Sequence, residues 1–213
     1  MKIQPALVMF DLGNVLVHIH PEAFLQTLGI DTPENRKTYG RDIVDLVRKY
    51  ERADDTTEKF LANLDVLVNA KSAASLRPEH VPLFSSDDFR RAMLSILGRP
   101  VPGMEELVRS LCTKVPLSLL SNTNPLHFDA CMEHLGALQY IPAHYLSYRL
   151  KALKPDPAIF QRVLDLLQRD PHEVLYIDDL IENVEAAQKF GFNSYQFVGP
   201  DQLRSHLSDL GLL

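Results

Sequence analysis

The chain has 213 residues, is 46% hydrophobic and 23% charged, and carries a net charge of −6, the profile of a globular protein able to bury a full core. Its length suits one core domain carrying a smaller insertion. An acidic chain of this kind lacks the basic face that a nucleic-acid backbone requires, and no apolar stretch approaches the roughly 20 residues of a membrane span. Cys112 and Cys131 lie in helical patterns without CxxC spacing, so they read as reduced thiols rather than as a disulfide or metal site.

In chain order, the first element is Ala6-Leu-Val-Met-Phe-Asp11. A continuous apolar run ending in a carboxylate fits a strand buried on both faces of a parallel sheet. The apolar run is too soon broken by Asp11 to be a signal peptide and lacks a small-residue cleavage site, which points to a cytoplasmic protein. From about His18 to about Leu97 the rhythm changes. Phe24–Leu28, Ile43–Tyr50, Phe60–Leu67 and Phe89–Leu97 all show helical spacing, with no convincing strand. Asp55, with Glu58 three residues on, resembles a capping box opening the third of these helices.

Beyond the insertion, strands are predicted at Val115–Ser121, Glu173–Asp178 and Asn193–Val198, with a shorter one around His144–Ser147. Helical patterns alternate with them at Met104–Thr113, Leu126–Leu135, Pro157–Leu167, Ile181–Phe190 and Gln202–Leu210. Pro155 and Pro157 suit a helix start, and Gly191 suits a C-cap. The expected fold class is therefore α/β: a doubly wound parallel sheet made of residues 1–17 and 98–213, with an all-helical insertion over 18–97.

Several predicted strands end in polar residues. The first ends in Asp11, the second in Ser121-Asn122-Thr123-Asn124, and a later one in Asp178-Asp179. Open parallel sheets bind ligands beyond the carboxyl ends of their strands, so these groups would converge on one crevice. Lys154, in a loop just before a helix, is placed to join them. Each piece alone has an ordinary explanation, as a helix cap, a turn or a helix start. Their order and strand context carry the reading.

That order resembles the haloacid dehalogenase superfamily. The four motifs read Val8-Met-Phe-Asp11-Leu-Gly-Asn-Val15, Leu119-Leu-Ser121-Asn122, Lys154-Pro-Asp-Pro157 and Ile177-Asp-Asp179-Leu-Ile-Glu-Asn183. The resemblance spans nearly the whole chain, because a helical cap after the first motif, on a Rossmann-like core, is also a family feature. It is strongest to phosphatases with Asp-Leu-Gly-Asn-Val in motif one, some of which act on sugar phosphates such as glucose 1-phosphate; Tyr50-Glu-Arg52 looks like that group's cap. The resemblance implies a magnesium-dependent phosphatase of small phosphorylated metabolites, with Asp11 as nucleophile. It implies that Asp11, the backbone carbonyl of Gly13 and Asp179 hold Mg2+, while Asp178 and Asn183 orient the ligands from behind. Lys154 would neutralise nucleophile and phosphoryl group, and Ser121 with the Asn122 amide would bind phosphate oxygens. Arg41, Tyr50 and Arg52 are the polar candidates for specificity in the cap.

The chain departs from the family at one position. Most of its phosphatases carry a second Asp two residues after the nucleophile as general acid and base; here that residue is Gly13. The metal contact survives because it uses the backbone, but the proton shuttle does not. Substrates whose leaving group tolerates negative charge would then be favoured, unless His18 or His20 has taken over the role near neutral pH. Two other readings stay open: a carbon–halogen hydrolase, against which the Asp178-Asp179 pair speaks, and a binding or regulatory protein that kept the fold without efficient turnover.

Overall fold

Residues 4–75 and 83–213 are described by the computed structural model. The first apolar run forms β1 (Leu7–Phe10), every residue of it buried. It lies at the centre of a five-stranded sheet with β4 (Leu117–Ser121), β5 (Ala143–Leu146), β6 (Val174–Asp178) and β7 (Asn193–Gln196), in the order β5-β4-β1-β6-β7. All four pairings are parallel, with Phe10 level with both Leu119 and Ile177. Alternation along the strands explains the unbroken hydrophobicity. Val8, Phe10, Leu117, Leu119, Leu175 and Ile177 face one apolar cluster, whereas Leu7, Met9, Leu120, Val174 and Tyr176 face another.

Helices cover both faces. α5 (Met104–Leu111), α6 (Pro125–His134) and α10 (Pro200–Asp209) pack on the first cluster, while α8 (Pro157–Leu167) and α9 (Ile181–Lys189) pack on the second. A single turn, α7 (Ser147–Leu150), follows β5. The architecture is the doubly wound α/β sheet that the alternating pattern predicts. From β1 the chain runs to β4 and β5 on one side, then crosses from β5 to β6 and β7 on the other, so the strand order reverses at β1 and opens the crevice there.

Between β1 and the rest of the sheet the chain forms α1 (Ala23–Thr27), α2 (Pro33–Glu51), α3 (Thr57–Ser75) and α4 (Ser86–Leu94), which share their own apolar cluster built on Phe24, Tyr39, Tyr50, Phe60, Phe89 and Met93. Residues 76–82 of the expected insertion lie outside the described residues. α2 begins a full ten residues before the predicted Ile43, because Thr32 caps it by accepting from the Asn35 amide at 3.1 Å and Pro33 occupies its first turn. The capping box expected at Asp55 is not formed. Thr56 Oγ1 accepts from Lys59 N at 3.3 Å, while the buried Asp55 pairs with Lys59 and accepts from Asn63 at 3.1 Å.

The insertion is also not all-helical at its ends. The expected helix Phe89–Leu97 stops at Leu94, and the chain becomes strand. β2 (Val17–Ile19) and β3 (Leu97–Pro100) form an antiparallel ribbon where the chain leaves and re-enters the sheet domain. The expected boundaries at 17/18 and 97/98 cut through this ribbon. Segments of three and four residues are too short to show a periodicity. Gly98 lets the two strands approach, since a Cβ there would sit 2.7 Å from the His20 ring. Among the described residues no helix is long and apolar enough to cross a membrane.

Candidate active site

Three strand ends meet at the crevice. Asp11 is the first residue past β1, and its amide donates to Ile177 O at 2.8 Å, which ties it to the neighbouring strand. Lys154 reaches the same point from the loop before α8. Its Nζ donates to Asp11 Oδ1 and Asp178 Oδ2, both at 2.7 Å, and to Leu120 O at 3.0 Å. All three donor positions of the ammonium are thus used. Asn122, the residue after β4, clamps the Lys154 backbone from both sides: its Nδ2 donates to Lys154 O at 2.9 Å and its Oδ1 accepts from Lys154 N at 2.8 Å.

The three carboxylates Asp11, Asp178 and Asp179 can bring oxygens within 4.8 Å of one another, and they differ in what they have to spare. Asp178 is fully buried and accepts from Lys154, Tyr176 Oη, the Leu180 amide at 2.9 Å, and Asn183 Nδ2 at 3.0 and 3.1 Å. Its lone pairs are saturated. Asp179 is half-buried and accepts from one other side chain, Asn14 Nδ2 at 3.1 Å. The donor set thus leaves Asp11 and Asp179 free to offer oxygens to a hard cation, and oxygen ligands of this kind suit Mg2+. A second observation fits the group: among the described residues the buried Asn183 Oδ1 has no hydrogen-bond partner, an acceptor of the kind that a metal-bound water would satisfy.

The charges balance in the same sense. Burial opposes ionisation of Asp178, but the Lys154 charge and its hydrogen bonds outweigh it and hold this carboxyl below the usual range. Burial would lower Lys154, and Asp11 and Asp178 together hold it above the ordinary lysine value. Asp11 is left short of cation: burial and the nearby Asp178 push it up to about 7 against the pull of Lys154. Burial raises Asp179 as well. Three acids sharing one ammonium form a site that a divalent cation would complete.

Above the strand ends lies a cavity of about 480 Å³ between the sheet domain and the helical insertion, lined from below by Leu12, Gly13, Ser121, Asn122 and Thr123. Ser121 is buried there, with Oγ 3.3 Å from Asn122 O. From above, α2 presents residues 36, 40, 43, 44, 47, 48 and 51, one face at helical spacing. The cap candidates Arg41, Tyr50 and Arg52 are off that face. Arg41 is exposed, Tyr50 stacks on Phe60 with ring centres 4.4 Å apart, and Arg52 pairs with Asp54. Arg36, Arg48 and Glu51 line the cavity instead. His18 and His20 are not among its lining residues either. Strand alternation turns Ile19 inward and its two neighbours out to solvent, and His20 lies 3.4 Å from Glu22.

Three residues of the site escaped sequence reasoning. Asn14 adopts a left-handed φ of 53°, which Asn tolerates, and bridges Asp179 to the Ile19 amide at 3.1 Å. Its place in the Asp-Leu-Gly-Asn run was the available signal. Tyr176, one strand repeat before Asp178, gave none, because an inward Tyr in a buried strand reads as core. Glu51 sat unnoticed between the two cap candidates.

Comparisons with known proteins bear on the family and the fold. The chain is 29% identical over 200 residues to a D-ribitol-5-phosphate phosphatase of Bacteroides thetaiotaomicron, covering 89% of this chain and 90% of the relative. A solved haloacid dehalogenase family enzyme from the same bacterium superposes with a TM-score of 0.81 at 25% identity, covering 97% of this chain and 99% of that one. A further structure of that enzyme, in complex with magnesium and inorganic phosphate, gives 0.76 over 95% and 98% of the two chains, also at 25% identity. The L-2-haloacid dehalogenase of Xanthobacter autotrophicus shares the fold at 18% identity, with a TM-score of 0.62 over 96% of this chain and 82% of that one. The family model for haloacid dehalogenase-like hydrolases matches residues 5–191, and the chain belongs to that family of enzymes.

Proposed function

We propose that the protein is a magnesium-dependent phosphatase of small phosphorylated metabolites, sugar or polyol phosphates above all, working through an aspartyl-phosphate on Asp11. The observation that carries this reading is the Asp11–Lys154–Asp178 array at the strand ends, where Asp11 adjoins the cavity-lining Leu12 and Gly13, with Asp179 beside it. A carboxylate nucleophile must approach a phosphoryl group of its own sign, and the array supplies a cation that touches the nucleophile directly. The likeness to a D-ribitol-5-phosphate phosphatase and to a fold bound to magnesium and phosphate supports the substrate class.

In this reading Asp11 attacks phosphorus, the ester bond breaks, and water then displaces the aspartyl oxygen. Lys154, fixed by Asn122, holds Asp11 in line and neutralises charge on the transferring group. Ser121 and the Asn122 amide bind phosphate oxygens. Asp11, Asp179 and the Gly13 carbonyl would hold Mg2+, which would supply positive charge against the phosphate dianion. Asp178 and Asn183 position Lys154 and the metal shell. Residues 1–17 and 98–213 act as the catalytic domain, and 18–97 act as a cap that closes the substrate in. The saturated Asp178 beside a less encumbered Asp179 favours this metal-assisted chemistry over metal-free carbon–halogen hydrolysis.

The test is hydrolysis of p-nitrophenyl phosphate and of a panel of sugar, polyol and alkyl phosphates at fixed Mg2+, before and after chelation. Turnover should need Mg2+ and should vanish in Asp11→Asn. Chloride release from 2-chloropropionate without metal, or no turnover of any phosphate, would reject the reading.

A further inference from the structure

A phosphate ester of an alcohol needs a proton donor for its leaving oxygen, and position 13 cannot supply one. It also has no room to spare: a Cβ on Gly13 would lie 3.1 Å from Ile19 Cγ1, so Ile19 occupies the space a side chain there would take. The donor must come from elsewhere on the cavity wall.

The titratable groups that line the cavity are Glu22, Asp31, Arg36, Arg48, Glu51 and His127. Asp31 is engaged by Arg36 through two hydrogen bonds at 2.6 and 2.7 Å, which hold its carboxyl below the usual range. Glu22 is exposed and faces His20. His127 spends both ring nitrogens, one at 3.1 Å from Asn124 Nδ2 and the other at 2.8 Å from Met93 O. Arginine does not release its proton. Glu51 differs from all of these. It is the last residue of α2, half-buried, and its side chain has no recorded hydrogen bond or ion pair among the described residues.

We propose that Glu51, reaching down from the helical insertion, is the proton donor and acceptor of the reaction, in the role that Gly13 leaves vacant. The inference rests on the phosphatase reading above. In the first step Asp11 Oδ forms a bond to phosphorus, the bond to the leaving oxygen breaks, and the proton of the Glu51 carboxyl goes to that oxygen to give the alcohol. In the second step the Glu51 carboxylate takes a proton from water as the water oxygen attacks phosphorus. The Asp11–phosphorus bond breaks, inorganic phosphate leaves, and both carboxyls return to their starting states.

The surroundings of Glu51 suit the task. Burial pushes it up to about 7, with Arg48 and Lys154 pulling it down and Asp11 pushing it further up. The carbonyl end of α2 adds to the bias against its charge. These are the charged groups that bear on it from its own helix, from the Lys154 loop and from the end of β1. A carboxyl that titrates near neutrality can both give and take a proton at working pH. Because the acid sits on the insertion rather than beside the nucleophile, the site is complete only when insertion and sheet domain are together.

The test compares wild type, Glu51→Gln and Asp11→Asn on ribitol 5-phosphate and on 2,4-dinitrophenyl phosphate, whose leaving group needs no proton. Glu51→Gln should lose about 10²–10⁴-fold in kcat/KM on the alkyl ester. On the aryl ester it should show a burst of one phenolate per site followed by slow turnover, because attack by Asp11 survives and activation of water does not. The fall of wild-type alkyl kcat/KM above about pH 7 should disappear in Glu51→Gln and persist, at lower rate, in Glu51→Asp. If Asp11→Asn is inactive while Glu51→Gln loses both esters in equal proportion, or neither, Glu51 is not the proton carrier and the phosphatase reading stands. If Asp11→Asn retains wild-type turnover, both fall.

Discussion

Replacing Lys154 with methionine removes the one cation that three buried or half-buried carboxylates share, and the structure sets the scale of the damage. The Lys154 side chain is 1% exposed, and its partners Asp11 and Asp178 are 11% and 0% exposed, so water cannot take over its role. Removing one partner of a buried ion pair costs about 3–5 kcal/mol, because a charge is left uncompensated. For a chain of this size that corresponds to a fall in Tm of roughly 6–20 °C. The deficit should depend on pH with a definite sign. In the wild type Asp178 is held below its ordinary value, so its contribution is present at neutral pH and lost on acidification. Without Lys154, Asp178 rises above its unfolded value and Asp11, already pushed up to about 7, rises further. Stability is then lost as pH rises, and the variant should fall furthest behind at pH 8 and least at pH 5. Urea denaturation of both proteins at the two pH values measures this. Adding Asp178→Asn to Lys154→Met should recover much of the loss, since it deletes the stranded charge. A Lys154→Met protein within 1 kcal/mol of wild type at pH 8, or a deficit that grows on acidification, would refute the reasoning.

Asp11→Asn should abolish turnover yet leave the melting temperature at pH 8 unchanged or raised: burial pushes this carboxyl up to about 7, so its ionisation weakens the fold as pH rises through that value. Differential scanning calorimetry checks the sign. Asn14→Ala should cost about 1 kcal/mol, because Asn14 sits at a φ of 53°, and should raise the Mg2+ needed for half-maximal activity about 10–100-fold by freeing Asp179. Asn14→Gly, which accepts the backbone but lacks the amide, should spare stability and keep the metal defect in a magnesium titration. Gly13→Asp should destabilise by about 1–3 kcal/mol through its clash with Ile19, and Ile19→Ala should relieve that cost when the two are combined, read by chemical denaturation.

The sequence by itself determined the sheet and the positions of its polar strand ends. A strand buried on both faces has no choice but an unbroken apolar run, so Leu7–Phe10 and Val174–Asp178 are legible, and a carboxylate closing such a run stands out because nothing else in it is polar. The order Asp11, Ser121, Lys154, Asp178-Asp179 then marked the crevice before any coordinates did. Shorter or two-sided elements were less legible. The β2–β3 ribbon pairs residues some 80 positions apart, and three residues carry no period. α2 has one face in the core of the insertion, with Tyr39, Ile43 and Tyr50, and another over the cavity, with Val44, Val47 and Glu51. A helix apolar on both sides has a periodicity that shows it is packed without showing which side meets the ligand. Tyr50 and Arg52 therefore looked like the polar candidates, while Glu51, a turn of about 100° from either, is the one of these three that lines the cavity, with Arg36 and Arg48. Likewise only the fold could bring Ile19 against Gly13 and load Asp178 with hydrogen bonds while leaving Asp179 lightly held. Such contacts depend on distances across the chain, and local pattern carries no information about them.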